Sequence, residues 1–390
     1  MKELSGPEAV DRLISAAGET GPVIDAAVRE VGLARTARIL ADEVIDRSAS
    51  PLNDHPAKIG LYVTHGDERC ELVLDVAPRT RPVLAENRPE HVGMLIEYAA
   101  ADLLRDVFGP VTGQRSGRRR TDLLPAPQPG DRTSSRSLPR EEIRSIVRAG
   151  SAVLAGCSHA APDLDQLALE YISNKWGGIH WFTPHYARHF EPLRNRPVRV
   201  LEIGIGGYQD TTLGGGSLRM WKRYFHRGTI YGLDVFDKST VDQQRLTTLR
   251  GSQDDRELLA SIGREYGPFD VIIDDGSHLN DHILTSFDVL LPYVTTGGLY
   301  VIEDLWTSYC TGYRGHATAA AAPDTALGLV KRLVDDLHHE EHPRENGELG
   351  HAEASVVGIH LYHNIVFLEK GVNAEGGIPQ WVEREPFWEK

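Results

Sequence analysis

The second half of this chain alternates short apolar runs with amphipathic stretches, and that alternation restricts it to few folds. Residues 198–203, 229–234, 245–250, 269–274 and 298–303 each have the length and apolar content of a buried strand. Between several of them, residues 217–225, 256–266 and 282–291 repeat apolar side chains at helical spacing. Strands alternating with helices imply βαβ units, hence an α/β fold with a mostly parallel sheet covered by helices on both faces. A further helix over 326–338 and a β-rich segment over 356–369 follow. In such sheets, ligands bind beyond the carboxyl ends of the strands, where strand order reverses. Each acidic or glycine residue singled out next ends one of these runs.

The first run leads into Leu201-Glu202-Ile203-Gly204-Ile205-Gly206-Gly207. Glycine permits positive φ and close approach of backbone to a ligand. Dinucleotide-binding proteins have similar turns, but here the pattern is GxGGY and Glu202 precedes it. An acidic entry suits a cationic sulfonium cofactor with an ammonium group, namely S-adenosylmethionine (SAM), better than a pyrophosphate. The second run ends at Asp234, a carboxylate able to bind a ribose diol in NAD and SAM enzymes alike. The third ends at Gly251-Ser252-Gln253-Asp254, where Ser252 and Gln253 are candidates to read an adenine edge.

Asp274-Asp275-Gly276-Ser277-His278 closes the fourth run and Glu303-Asp304 the fifth. Neighbouring strands lie about 5 Å apart, so these carboxylates converge. Gathering like charges is costly unless a cation neutralises them, and oxygen-rich sites suit Mg²⁺. Helix capping explains one such carboxylate but not acidic pairs on adjacent strands. His278, in the loop above, is placed to accept a proton at neutral pH. Methyl transfer from a sulfonium needs a hydroxyl activated and oriented. A divalent ion on two vicinal oxygens and a histidine base supply both requirements.

The N-terminal part carries no comparable motif. Helices are predicted over 6–17, 34–47 and 91–108, with a hairpin of strands 57–64 and 69–76 around Gly66. Residues 109–139 are rich in Gly, Pro, Ser and Arg and read as a linker, with Arg118, Arg119 and Arg120 on its solvated face. A helix over 140–155 leads into the second domain. The division is thus an auxiliary domain 1–108, a linker 109–139 and a catalytic domain 140–390. With 42 basic against 56 acidic residues the net charge is −14, which argues against nucleic acid as a partner. Neither a membrane span nor a secretory signal is evident, so a cytoplasmic location is expected. Cys70, Cys157 and Cys310 are too scattered for a zinc or disulfide framework.

Taken together, the motifs resemble the Mg²⁺-dependent sugar O-methyltransferases of macrolide and polyketide antibiotic biosynthesis. The matching segments begin with Lys175-Trp-Gly-Gly-Ile-His-Trp-Phe-Thr-Pro-His-Tyr, Val200-Leu-Glu-Ile-Gly-Ile-Gly-Gly-Tyr and Gly214-Gly-Gly-Ser-Leu-Arg-Met-Trp-Lys. They continue with Ile273-Asp-Asp-Gly-Ser-His, Tyr300-Val-Ile-Glu-Asp-Leu-Trp and Leu361-Tyr-His-Asn-Ile-Val-Phe. They run in the family's order across residues 150–382. The resemblance implies a Rossmann-like SAM-methyltransferase fold with an N-terminal α+β auxiliary domain. It implies Asp275, Glu303 and Asp304 as Mg²⁺ ligands, His278 as general base, Asp274 nearer the cofactor, and Tyr208 and Ser217 in contact with SAM. Gly204 and Gly206 complete the expected cofactor turn. It also implies a homo-oligomer, a tetramer in the longer members, and a deoxysugar of a glycosylated natural product as methyl acceptor. The segments 209–213 and 312–326 look individual to this chain, so acceptor choice is expected there. Trp306 and Tyr309 are candidates to pack on a sugar, His363 and Asn364 to face the acceptor, and His180, Trp181 and His185 to shape the cofactor pocket. Three alternatives remain: a catechol-type O-methyltransferase, an NAD-dependent dehydrogenase and a non-catalytic SAM-binding subunit.

Overall fold

The computed structural model describes the chain except residues 1–3, 87–90, 112–118, 124–137, 159–162, 342–348, 380, 387 and 389–390. It forms two compact units. The first comprises Met1–Pro162 with Leu193–Pro197 and Arg223–Arg227; the second comprises Asp163–Pro192, Val198–Lys222 and Gly228–Lys390.

The first unit opens with helices α1 (Gly6–Ala17), α2 (Gly21–Val31) and α3 (Leu33–Arg47). Ser5 starts α1 through a capping box in which its hydroxyl accepts from Glu8 N and the Glu8 carboxylate accepts from Ser5 N. Strands β1 (Ala57–His65) and β2 (Glu68–Val76) pair antiparallel from Ala57↔Val76 to His65↔Glu68. Their turn holds Gly66 at φ 59°, a value that favours glycine. Then come β3 (Val83–Leu84), β4 (Met94–Ala99), α4 (Ala100–Phe108), β5 (Arg119–Leu123) and α5 (Arg140–Gly156). The sheet order is β3-β2-β1-β4-β5 among the described residues.

Three expectations change here. Residues 94–99, read as part of one long helix, form β4 parallel to β1. Leu95, Ile96 and Tyr98 are buried in that interior strand, so sheet pairing overrides a pattern that fits a helix. Arg119 and Arg120, read as linker, lie in β5 and pair antiparallel with β4; Arg118 and residues 124–137 lie outside the described residues. Helix α5 belongs to the first unit, because Ile146, Ala149 and Val153 are buried in its core beside Ile59, Ile96 and Leu103. The boundary therefore falls near 162, not 140.

The second unit contains α6 (Leu164–Glu170), α7 (Thr183–Phe190), β6 (Arg199–Ile203), most of α8 (Gly216–Tyr224), β7 (Thr229–Asp234) and β8 (Leu246–Arg250). It continues with α9 (Arg256–Tyr266), β9 (Phe269–Asp274), α10 (Asn280–Leu290), β10 (Val294–Glu303), α11 (Ala326–Asp336), α12 (His351–Ser355), β11 (Val356–Tyr362) and β12 (Ile365–Lys370). Its sheet runs β11-β12-β10-β9-β6-β7-β8. Strands β6 to β10 pair parallel, while β12 and β11 return antiparallel at one edge. The chain leaves β6 toward β7 and β8, then comes back to place β9 on the other side of β6. That reversal opens a crevice at the carboxyl ends of β6 and β9. The strands reach it in register, with Asp274 opposite both Ile203 and Ile302. Alternating helices bury Leu201, Ile203, Ile272, Phe287, Ile302 and Leu329 in one core, which fixes the strand ends.

Candidate active site

The crevice is a cleft of about 780 Å³ lined by the glycine turn, Tyr208, Ser217, Asp234, Ser252, Gln253, Asp275 and His278. The turn follows β6 with Gly204 at φ 95°, Gly206 at 76° and Gly207 at 74°. A Cβ on Gly204 would lie 2.0 Å from the Asp275 carbonyl oxygen, whereas one on Gly206 would meet nothing within 4 Å. Gly204 is therefore required for the close approach of two strand ends, and Gly206 leaves open space along the cleft. Tyr208, also at positive φ, is largely exposed beside it.

At the end of β7, Asp234 accepts from Ile205 N at 3.0 Å through one oxygen and from Phe236 N at 2.9 Å through the other. Each carboxylate oxygen has two acceptor sites, so capacity remains for hydroxyls in the cleft. Gln253 is fixed from below. Its amide nitrogen donates to Asp274 at 2.8 Å and its carbonyl oxygen accepts from Ser277 N at 2.8 Å. The Ser252 hydroxyl donates to Asp254.

Two residues expected at the cofactor, Glu202 and Asp274, are buried. Glu202 has no solvent exposure and does not line the cleft. Its Oε2 accepts from Ser217 at 2.8 Å and Trp221 Nε1 at 3.1 Å. Its Oε1 lies 3.1 Å from Lys175 Nζ without an aligned hydrogen bond. Asp274 is likewise buried, accepting from Gln253 and the Ser286 hydroxyl. Burial pushes its carboxyl up to about 6. Both residues act behind the cleft wall, holding Ser217 and Gln253.

Lys175 was not singled out from the sequence, and it organises the carboxylates. Its ammonium is fully buried, 2.9 Å from Asp275 Oδ2 and 2.6 Å from Glu303 Oε1 in addition to its contact with Glu202. Burial alone would lower its pKa; Asp275, Glu303 and Glu202 together outweigh this and hold it well above the ordinary value. The buried Tyr186 hydroxyl donates to the same Glu303 oxygen. Burial, then the charge of Asp275, pushes Glu303 up to about 8 despite these donors. One ammonium thus holds three carboxyl groups together, and burial favours the neutral form of Glu303 and Glu202.

Beside this group lies a second convergence. Asp275, His278 and Asp304 each offer a ligand atom, all within 4.8 Å of one another. His278 Nε2 is 3.5 Å from Asp304 Oδ2 and 4.0 Å from Asp275 Oδ1. His278 and Asp304 both have left-handed backbones, φ 57° and 54°. Strained conformations of this kind persist where surrounding structure holds them, often at functional sites. Trp306 Nε1 donates to Asp304 Oδ1 at 3.2 Å, and His180 Nε2 lies 3.6 Å from that oxygen. The two carboxylates and their short spacing fit a hard divalent cation. Trp306 also packs edge-on against Tyr313, which meets His278 in the same way, so an aromatic wall borders the site. His185 stacks on Tyr362 and stands apart from the carboxylates. Asn364 caps the β11–β12 turn at φ 65°, and its carbonyl accepts from Leu305 N.

This sheet order, glycine turn and row of strand-end carboxylates define a Rossmann-like SAM-dependent methyltransferase fold. Residues 10–119 match the family described as MycE methyltransferase N-terminal. The chain is 47% identical over 379 residues to the demethylmacrocin O-methyltransferase of Streptomyces fradiae, covering 96% of this chain and 94% of that one. It is 47% identical over 359 residues to the mycinamicin VI 2''-O-methyltransferase of Micromonospora griseorubida, covering 90% and 88%. The structure of the MycE methyltransferase in complex with Mg, SAH and mycinamycin VI superposes with a TM-score of 0.86 at 43% identity, covering 97% of this chain and 96% of that one. The chain belongs to this family of antibiotic sugar O-methyltransferases.

Proposed function

We propose that the chain transfers a methyl group from SAM to a hydroxyl of a deoxysugar carried by a glycosylated polyketide or macrolide, with Mg²⁺ as required ion. The observation that carries this reading is the meeting of Asp275, His278 and Asp304 within 4.8 Å at the cleft bordered by the glycine turn. SAM supplies an electrophilic methyl group, and Mg²⁺ lowers the pKa of coordinated vicinal hydroxyls. Asp234 would receive the ribose diol, Ser252 and Gln253 the adenine, and Gly204 to Tyr208 with Ser217 the remaining cofactor surface. Asp275 and Asp304 would hold the ion. Glu303, whose Oε1 is committed to Lys175 and Tyr186, has only its other oxygen for that task. His278 accepts the proton of the acceptor hydroxyl as that oxygen attacks. Trp306 steadies Asp304 through its indole N–H. A homo-oligomeric, tetrameric assembly through the first unit is part of the same reading, which light scattering of the purified chain tests.

Support comes from the MycE complex, which holds mycinamycin VI together with Mg and SAH, and from relatives named for methylating olivosyl and rhamnosyl groups. Calorimetric titration with SAM and with NAD, with and without Mg²⁺, is the direct test of cofactor class. SAM binding is expected; NAD binding without SAM binding would overturn the reading.

A further inference from the structure

A second cluster of ligand groups lies at the antiparallel edge of the sheet and shares no residue with the cleft. β11 and β12 pair with His360 opposite Phe367 and Gly358 opposite Glu369. Side chains alternate between faces along a strand, so His360, Tyr362, Phe367 and Glu369 all project from one face. Helix α7 brings His185 and His189 to this face, four residues apart and therefore on one side of the helix. His189 stacks on Phe367 with ring centroids 4.3 Å apart and lies 4.6 Å from the His360 ring. His189 Nε2 is 3.0 Å from the Tyr362 hydroxyl, and His360 Nε2 is 2.8 Å from Glu369 Oε1. One ligand atom from each of His189, His360 and Glu369 falls within 4.8 Å of the other two.

We propose that His189, His360 and Glu369 form a binding site for a divalent cation of the zinc class. Two imidazoles and one carboxylate match the donor softness of zinc, cobalt or nickel, not the all-oxygen preference of Mg²⁺. Three protein ligands leave a fourth tetrahedral position for water. Metal–ligand bonds of about 2.0–2.1 Å place neighbouring ligand atoms about 3.3 Å apart. The His360–Glu369 pair therefore opens slightly, and His189 exchanges the Tyr362 hydroxyl for the ion. Each ligand is half-buried, so the ion has access from solvent. Phe367 braces the His189 ring from behind. Occupancy would tie α7 to the sheet edge. The same helix carries Tyr186, which donates to Glu303.

Co²⁺ is the probe, because its visible absorption reports tetrahedral coordination. The full-length protein is titrated in excess Mg²⁺, which saturates the carboxylate site. The wild type should take up one equivalent of Co²⁺ with tetrahedral bands. His189→Ala and His360→Ala should each weaken uptake by roughly tenfold or more, since even outer-shell losses reach that size. Tyr362→Phe, which removes only the competing hydroxyl, should bind at least as well as wild type. Melting in EDTA verifies that each variant is folded; a histidine variant that melts early is replaced by Glu369→Gln. No Co²⁺ uptake by wild type in excess Mg²⁺, or unchanged uptake in folded ligand variants, would overturn the proposal.

Discussion

Lys175→Met tests the electrostatic construction of the site. The substitution keeps most of the stem's bulk and removes the ammonium facing Glu202, Asp275 and Glu303. Breaking a buried ion pair by deleting one partner costs about 3–5 kcal/mol, because the remaining charge stays desolvated. The loss also carries a pH signature. An acid whose pKa is raised on folding favours the folded state at low pH. It costs stability as pH climbs from the ordinary value to the raised one. Glu303 is such an acid, pushed up to about 8 chiefly by burial, with Lys175 pulling the other way. Without the ammonium its midpoint rises further. Above about pH 8 the variant then holds up to one more proton than the wild type in the native state. Each pH unit across that interval widens the stability gap by up to about 1.4 kcal/mol. Urea unfolding at about pH 6 and about pH 9 measures both effects. Trp221, buried and bonded to Glu202, supplies a fluorescence signal from the same unit. A total loss below about 1 kcal/mol, or a gap that does not widen with pH, would show that Lys175 does not set the charge of these carboxyl groups.

His278→Ala should lower methyl transfer by about 10²- to 10⁴-fold while calorimetric SAM affinity stays within a few fold, the pattern of a lost general base. Gly204→Ala and Gly206→Ala separate close approach from conformational strain. The first forces a Cβ to 2.0 Å from the Asp275 carbonyl and should cost several kcal/mol, while the second meets no atom within 4 Å and should cost about 1–2 kcal/mol; equal melting temperatures would contradict the assigned roles. Trp306→Phe removes the N–H that holds Asp304 and should weaken Mg²⁺ activation by roughly tenfold, read as a shift in the Mg²⁺ concentration for half-maximal turnover.

The parallel sheet was legible because each strand is a short apolar run that stops at a polar residue, and those stops mark the crevice. Asp275, His278 and Asp304 could be assigned to one place for that reason alone. The burial of Glu202 is not legible, because sequence position does not report it: Glu202 ends the expected strand but faces Lys175, Ser217 and Trp221. Lys175 itself has no local signal beyond a cation set among aromatic and glycine residues. Its partners Asp275 and Glu303 lie 100 and 128 residues away and meet it only after three strands align. The segment 91–108 failed differently. Strand β4 runs directly into helix α4 without a breaker, so two periodicities merged into one. Helix α2 was also missed, although Thr20-Gly21-Pro22 carries the proline expected in a first turn.

The proposed reaction is metal-assisted methyl transfer to a sugar hydroxyl. Its most direct measurement is turnover with methyl-labelled SAM against a panel of rhamnosylated and deoxyallosylated polyketides and macrolides, with Mg²⁺ and with EDTA. Label on a sugar oxygen of at least one acceptor is expected, abolished by EDTA and restored by Mg²⁺. Label on the aglycone, or transfer indifferent to EDTA, would contradict it.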